Sequence, residues 1–446
     1  MSQSAIRQQV IALAGDPWRA GNTLLLWSFV SLLILVPWGY AAVPLAGGLL
    51  ALSWLLVRDP AQHRSALLDG EDRLWLLALM AFAGVWCWDV SRTGIWPVAE
   101  HGRGWLLPMW PLLAATLLVW LRRHPPLRIG WWLGLVVGGL GAGAIAVHER
   151  FVLGDYRADN DMNAIPFGNI SLLLGVLALV AMLGRFSSPQ RTSSWLTAAL
   201  GLASVAGFAA SVFSGTRGGW VVVPLLLWMG FRGFRRVFPP RQMLMVAAGF
   251  WLLVVGLVAM TAITDYGVSE RIEGAVNDVR DYVEDGDSGS NVGLRLDMWH
   301  AGGRLFLEKP LLGWGEGRLE EARDAMVEEG TVHPDVMIYD QLHSDIIDTA
   351  ARRGLLGLMT LVALYGVPLW LFARHLHRSR DAQTRILALS GLMVIVAFVG
   401  FGLTQSMLRD VRGLSGYLGL IVACWALLKT HLVTLKLPGE TRERGQ

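Results

Sequence analysis

Cysteine and lysine are nearly missing from this chain, and charge of either sign is scarce. Of 446 residues two are cysteine, Cys87 and Cys424, and both fall inside apolar runs. Neither a disulfide framework nor a thiolate metal site is therefore indicated. Charged residues make up 16% against 54% apolar, and the mean hydropathy is +0.46, which excludes an ordinary soluble domain and points to a polytopic membrane protein. Lysine occurs three times, so nearly all positive charge is guanidinium and arginine abundance alone says little about anion binding. The net charge of +3 carries no argument. No P-loop occurs, and Gly313-Trp-Gly-Glu-Gly317 has no strand before it and no βαβ unit after it, so nucleotide binding is not read there. No basic-aromatic groove supports nucleic-acid binding, and no internal repeat or sustained heptad is present. The first apolar run reads as an uncleaved anchor rather than a signal peptide.

What is present is a series of apolar runs. Hydropathy predicts about 12 spans of the length a bilayer needs. Their cores lie near 24–38, 41–57, 73–89, 105–121, 129–147, 168–184, 195–213, 218–231, 243–263, 354–373, 386–407 and 413–431. Alternate loops collect arginine: Arg58 and Arg64; Arg122, Arg123 and Arg128; Arg185 and Arg191; Arg232, Arg235, Arg236 and Arg241; Arg374, Arg378 and Arg380. The positive-inside rule puts these loops and both termini in the cytoplasm. The predicted fold is all-α and polytopic. Residues 1–263 hold the first nine helices, 264–353 a long outer loop, and 354–446 the last three helices and a tail. Within the loop, Leu294, Met298 and Leu305 form one apolar stripe of an amphipathic helix that Pro310 ends. Residues 318–329 read as a second helix, and His343 to Arg353 as a third that leads into a span beginning at Gly354.

Three residues stand out chemically. Arg217, in Ser214-Gly-Thr-Arg-Gly-Gly219, sits between two apolar segments, where a guanidinium needs an anionic partner; the glycines leave the backbone open to close approach. Arg295 starts the amphipathic helix of the outer loop, and His343 stands where that loop re-enters the membrane. A neutral imidazole there can accept a proton at physiological pH, with Asp340, Asp345 or Asp348 as candidate orienting carboxylates. The triplets Asp159-Asn-Asp161 and Asp285-Gly-Asp287 read as solvated turns, the second lacking the Gly and distal Glu placement of a calcium loop, so no metal site and no cofactor is expected. A transporter should place ionisable groups mid-span at broken helices, whereas here the notable charges lie at the outer boundary.

Taken in order, Ser-Gly-Thr-Arg217-Gly-Gly, Arg295-Leu-x-x-Trp299, Pro310-Leu-Leu-Gly-Trp-Gly315, His343-Ser and Gly354-Leu-Leu-Gly357 resemble the signature of the O-antigen ligase family, with Asn163-Ala-Ile-Pro-Phe-Gly168 a looser match. The resemblance implies a fold similar to multispanning, GT-C-like, polyprenol-dependent glycosyltransferases. It implies an inner-membrane enzyme of Gram-negative bacteria that transfers a glycan, outside that membrane and without a metal ion, from undecaprenyl diphosphate to lipid A-core, with inversion. Arg217 and Arg295 would then bind the diphosphate and His343 would act as general base, with Arg157 and Asn163 as candidate donor-binding residues. An O-antigen polymerase or a protein O-oligosaccharyltransferase shares this signature, and a lipid-linked oligosaccharide flippase is the rival from another class.

Overall fold

The computed structural model describes residues 16–57, 68–94, 103–186, 194–216, 218–235 and 289–436, together with Arg241, Leu244, Ala248, Arg280 and Glu284. Arg217, the Asp285–Asp287 triplet and nearly all of the expected span 243–263 lie outside the described residues. Every regular element among the described residues is helical: α1 (Pro17–Leu32), α2 (Gly39–Val57), α3 (Gly70–Thr93), α4 (Met109–Arg123), α5 (Arg128–His148), α6 (Ala164–Phe186), α7 (Ser194–Phe213), α8 (Val223–Phe234), α9 (Asn291–Glu308), α10 (Arg318–Glu328), α11 (Asp345–Arg378), α12 (Ala382–Phe401) and α13 (Val411–Lys436). Eight are long and apolar enough to cross a membrane: α3, α4 with the turn before it, α5, α6, α7, α11, α12 and α13. Two shorter apolar helices, Gly39–Trp54 and Gly218–Phe234, accompany them. Among the described residues the expected count of about 12 is therefore not confirmed. α1 is only 16 residues long, and the predicted span at 218–231 opens as a 3₁₀ turn, Gly218–Val222, before α8.

α6 and α12 form the centre of the bundle: 89% of the most apolar stretch of each is buried, against 39% for α11. Lipid offers no hydrophobic drive for helices to associate, so close packing must supply it. α6 and α7 achieve this through glycine, since a Cβ on Gly207 would lie 2.7 Å from the Ser171 carbonyl oxygen and 2.9 Å from the Gly175 Cα. The helix ends sort cleanly. Glu71 accepts from Arg374 at 3.0 Å, Asn22 donates to the His124 carbonyl at 2.6 Å, and Arg385 reaches the Gly233 carbonyl at 2.8 Å, which collects the arginine-rich ends on one side of the bundle. His343, the Ser214–Thr216 turn and the 402–410 loop lie at the other end.

A helical cap covers that other end. Its own core is Leu294, Met298, Ala301, Leu305, Leu319, Met326 and neighbours, so the predicted apolar stripe of α9 is indeed its buried face. Ser290 caps α9 through the Gly293 N–H at 2.9 Å.

The cap is joined to the membrane helices by an unusual backbone exchange at Gly354, which has φ 58° and ψ −154° and breaks α11. In an intact helix the N–H groups of Leu355 and Leu356 would bond the carbonyls of Ala351 and Arg352. Here they donate to Pro310 and Leu311 at 2.8 and 3.2 Å. The freed carbonyls of Ala351 and Arg352 accept from Trp314 and Gly315 at 3.0 and 2.8 Å. Residues 310–315 are thus inserted into the helix ladder, and all four broken ends are satisfied again. Gly354 has a conformation closed to other residues, and a Cβ there would lie 2.4 Å from the Leu311 carbonyl carbon. Gly354→Ala should destabilise the protein by about 3 kcal/mol or more. A thermal midpoint in detergent equal to wild type would contradict the insertion.

Candidate functional site

Three segments meet at the capped end of the bundle. The first is the Ser214–Thr216 turn after α7. Gly215 takes φ 64°, the Ser214 hydroxyl donates to the Ser211 carbonyl at 2.7 Å, and the Thr216 hydroxyl donates to the Ala164 carbonyl at 2.7 Å. Arg157 clamps the turn from outside, donating through Nε to the Ser214 carbonyl at 2.7 Å and through Nη2 to Thr216 Oγ1 at 3.3 Å. Asn163 is exposed; its Oδ1 accepts the Ile165 N–H at 2.9 Å at the start of α6. Arg157 therefore shapes the turn that precedes Arg217, whereas Asn163 caps the start of α6.

The second segment holds His343. It precedes α11 rather than riding on it, and its φ of 51° is rare for a non-glycine residue. The flanking amides pin this conformation: Leu342 donates to Asp348 Oδ2 at 3.0 Å and Ser344 donates to Ser406 Oγ at 3.0 Å. The imidazole is buried, with Tyr339 edge-on at 4.9 Å. None of the three expected carboxylates bonds the ring. Asp340 pairs with Arg103 at 2.6 Å, Asp345 Oδ1 accepts from Leu408 at 2.9 Å, and Asp348 is committed to Leu342 and Arg352. The ring partner is Gln405, whose Oε1 lies 2.6 Å from His343 Nδ1. Burial first, and then the Arg295 guanidinium, push the imidazole down to about 4, against weaker upward pulls from Gln405, Asp348 and Asp340. His343 is accordingly neutral at neutral pH, and half-buried Arg295 on α9 acts directly on it.

The third segment, 402–410, ties the other two together. Besides Gln405 and Ser406 it supplies Thr404, whose Oγ1 lies 2.3 Å from where a Gly218 Cβ would stand. Met407 Sδ receives Asn169 Nδ2 at 3.7 Å, while Asn169 Oδ1 lies 2.3 Å from where a Gly219 Cβ would stand. Both glycines beside Arg217 are therefore in intimate contact with a loop, or with its neighbour, that also holds His343.

Under this surface lies a buried ion network that sequence inspection missed. Glu316 accepts both Oε–Nη1 bonds of Arg409 at 2.7 Å and one from Arg353 Nη2 at 3.0 Å. Arg352 bridges Glu320 and Asp348 at 2.9 Å each, and Arg353 reaches Asp89 at 3.1 Å. Burial alone would raise the Glu316 carboxyl, but Arg409, Arg352 and Arg353 outweigh it and hold that carboxyl well below the usual range. The Gly-Trp-Gly-Glu-Gly run, with positive φ at Gly313, Gly315 and Gly317, delivers Glu316 to this network. The triplet Asp159-Asn-Asp161 forms a turn closed by Glu149, which accepts from Asp159 at 2.8 Å and Asn160 at 3.0 Å. No group of His, Cys, Asp and Glu suited to a metal ion occurs among the described residues.

The sequence profile described as O-antigen ligase matches residues 202–362, a stretch that includes the Ser214 turn, α9, the 310–315 insertion and His343. Over that segment the chain is similar to the O-antigen ligase family. A protein of Haemophilus influenzae described as uncharacterized is 22% identical over 394 residues, which is 88% of this chain and 94% of that one. The family segment ends before α12, so Gln405 and Arg409 lie beyond it. The only signal for them in the sequence is a short polar break, Thr404-Gln-Ser406, between two apolar runs.

Proposed function

We propose that the protein is an O-antigen ligase: it transfers O-antigen glycan from undecaprenyl diphosphate to a sugar hydroxyl of lipid A-core, at the periplasmic face of the inner membrane. The observation that carries this reading is His343, buried, neutral and held by Gln405 next to a cationic Arg295. If Gln405 presents its carbonyl oxygen, Nδ1 carries the ring proton and Nε2 is left to accept one.

As the glycosidic bond breaks, charge grows on the departing diphosphate. Arg295, with Arg217, supplies permanent charge and a fork that fits phosphate oxygens. His343 takes the proton from the acceptor hydroxyl as its oxygen attacks the anomeric carbon, so the new bond forms on the face opposite the leaving group and configuration inverts. The donor is already activated, and no further energy source is required. The arginine-rich end of the bundle is then cytoplasmic, as are both termini.

The test is transfer by the purified chain, given undecaprenyl-diphosphate-linked O-antigen and lipid A-core in EDTA. Core-linked product is expected. Longer lipid-linked glycan without core-linked product would make it a polymerase, and no transfer by folded protein would end the glycosyltransferase reading. In the same assay Arg295→Ala should lower kcat/KM about 10²-fold, with Arg295→Lys recovering only part because the fork is lost.

A further inference from the structure

We propose that Gln405 is a positioning residue of the transfer reaction, fixing the tautomer of His343 from a loop that lies outside the family segment. This rests on the general-base reading of His343 and adds to it a part of the site that residues 202–362 do not contain.

The argument starts from what an amide and an imidazole can do together. A neutral imidazole has one N–H and one lone pair, and its partner decides which nitrogen carries which. With Gln405 Oε1 at 2.6 Å from Nδ1, the proton must sit on Nδ1 and the lone pair on Nε2. Were the amide turned, its NH₂ would demand a lone pair on Nδ1, the proton would move to Nε2, and the ring could accept nothing from an acceptor hydroxyl. One side-chain orientation therefore separates a competent base from an incompetent one.

That orientation is protected by the loop around it. Both side chains are buried, 7% exposed for His343 and 4% for Gln405. The next residue, Ser406, accepts the Ser344 N–H, and two residues on Leu408 donates to Asp345 Oδ1. Arg409 then anchors the loop on Glu316, on Glu320 at 3.3 Å and on the Asp340 carbonyl at 3.1 Å. On the preceding side Thr404 rests against Gly218, and on the following side Met407 Sδ receives Asn169 Nδ2. Gln405 thus stands on a segment fixed on both flanks, a more demanding arrangement than a buried side chain needs for its own satisfaction. A neutral amide, unlike a carboxylate, orients the ring without greatly raising its basicity. Among the described residues, the charged groups that act most on the ring are Arg295 from α9, Asp340 from the cap and Asp348 from α11.

Two substitutions in the purified full chain test this, with wild type and His343→Ala alongside. Gln405→Leu removes the acceptor at similar size; kcat should fall about 10-fold or more while the KM for donor stays unchanged. It should cause no further loss in the His343→Ala background, because a residue acting through His343 has nothing left to act on. Gln405→Glu offers only acceptor oxygens; it should keep activity and move the acid limb of kcat/KM upward by about 1–2 pH units. Wild-type kcat in Gln405→Leu, or an unmoved acid limb in an active Gln405→Glu, would overturn the proposal. Loss of activity in a folded Gln405→Glu would also do so, since it would mean that the amide donates. If Gln405→Glu does not fold, the kcat-against-KM split and the double variant decide. Full activity of His343→Ala would instead remove the general base itself, and Gln405 with it.

Discussion

Glu316→Ala is expected to cost the protein about 3–5 kcal/mol and to leave little of it monodisperse after extraction. The magnitude follows from what the substitution strands. Glu316 is 1% exposed, and its two oxygens serve Arg409, Arg353 and the Arg103 N–H, with Arg352 Nη1 a further 3.8 Å away. Four carboxylates (Asp89, Glu316, Glu320 and Asp348) meet four guanidiniums (Arg92, Arg352, Arg353 and Arg409), so the network as built is neutral. Removing one carboxylate leaves a net positive charge among largely buried groups. Glu316→Gln keeps shape and part of the hydrogen bonding and should fall between. Pairing Glu316→Gln with Arg409→Met removes one charge of each sign and should recover part of the loss. Because the Glu316 carboxyl is depressed, its contribution is complete above the ordinary carboxylate range and is lost only as pH falls through its lower folded value. Thermal midpoints in detergent measure all of this; a Glu316→Ala midpoint at the wild-type value would show that the network carries no stability.

Much of the architecture could be read from periodicity and punctuation, and the reason is local. The stripe Leu294, Met298 and Leu305 is a property of 3.6-residue spacing, and the three are buried. The expected helix at 318–329 is α10, Arg318–Glu328, and Gly354 does mark a discontinuity. What the sequence hid are contacts between distant segments. Gln405 lies 62 residues from His343, and Glu316 lies 93 from Arg409. Buried ion pairs defeat inspection because each member, seen alone, resembles a solvated charge. Gly313-Trp-Gly-Glu-Gly317 was legible as a failed nucleotide loop and, through Gly315, as part of a signature, but its structural use, entering a helix broken at Gly354, depends on a backbone break elsewhere. The carboxylates expected to orient His343 were plausible by sequence proximity, but each is drawn off by a backbone amide or a guanidinium.

Substituting His343 should reduce transfer about 10²–10⁴-fold, with little change in donor binding. The choice of substitution matters, because φ of 51° costs alanine about 1–2 kcal/mol in strain. Asparagine adopts that backbone region more readily and cannot act as a base, so His343→Asn separates chemistry from folding. If both variants lose transfer and His343→Asn melts near wild type, the loss belongs to the imidazole. The pH dependence gives an independent reading. With the folded value near 4, the ring stays neutral as pH falls through the ordinary histidine range, so kcat/KM should hold level from pH 7 to about 5 and decline as pH approaches about 4. Stability shifts in the same sense: the unfolded chain protonates this ring first, so its contribution is complete above about 6.5 and erodes from there down to about 4. Once donor is bound, the diphosphate opposes Arg295 and favours the imidazolium, so the acid limb of kcat should lie above that of kcat/KM. A single limb near the ordinary histidine value in both profiles would mean that the reacting base is not the buried imidazole beside Arg295. Two limbs in the expected order would tie proton transfer and diphosphate binding to the same pair of side chains.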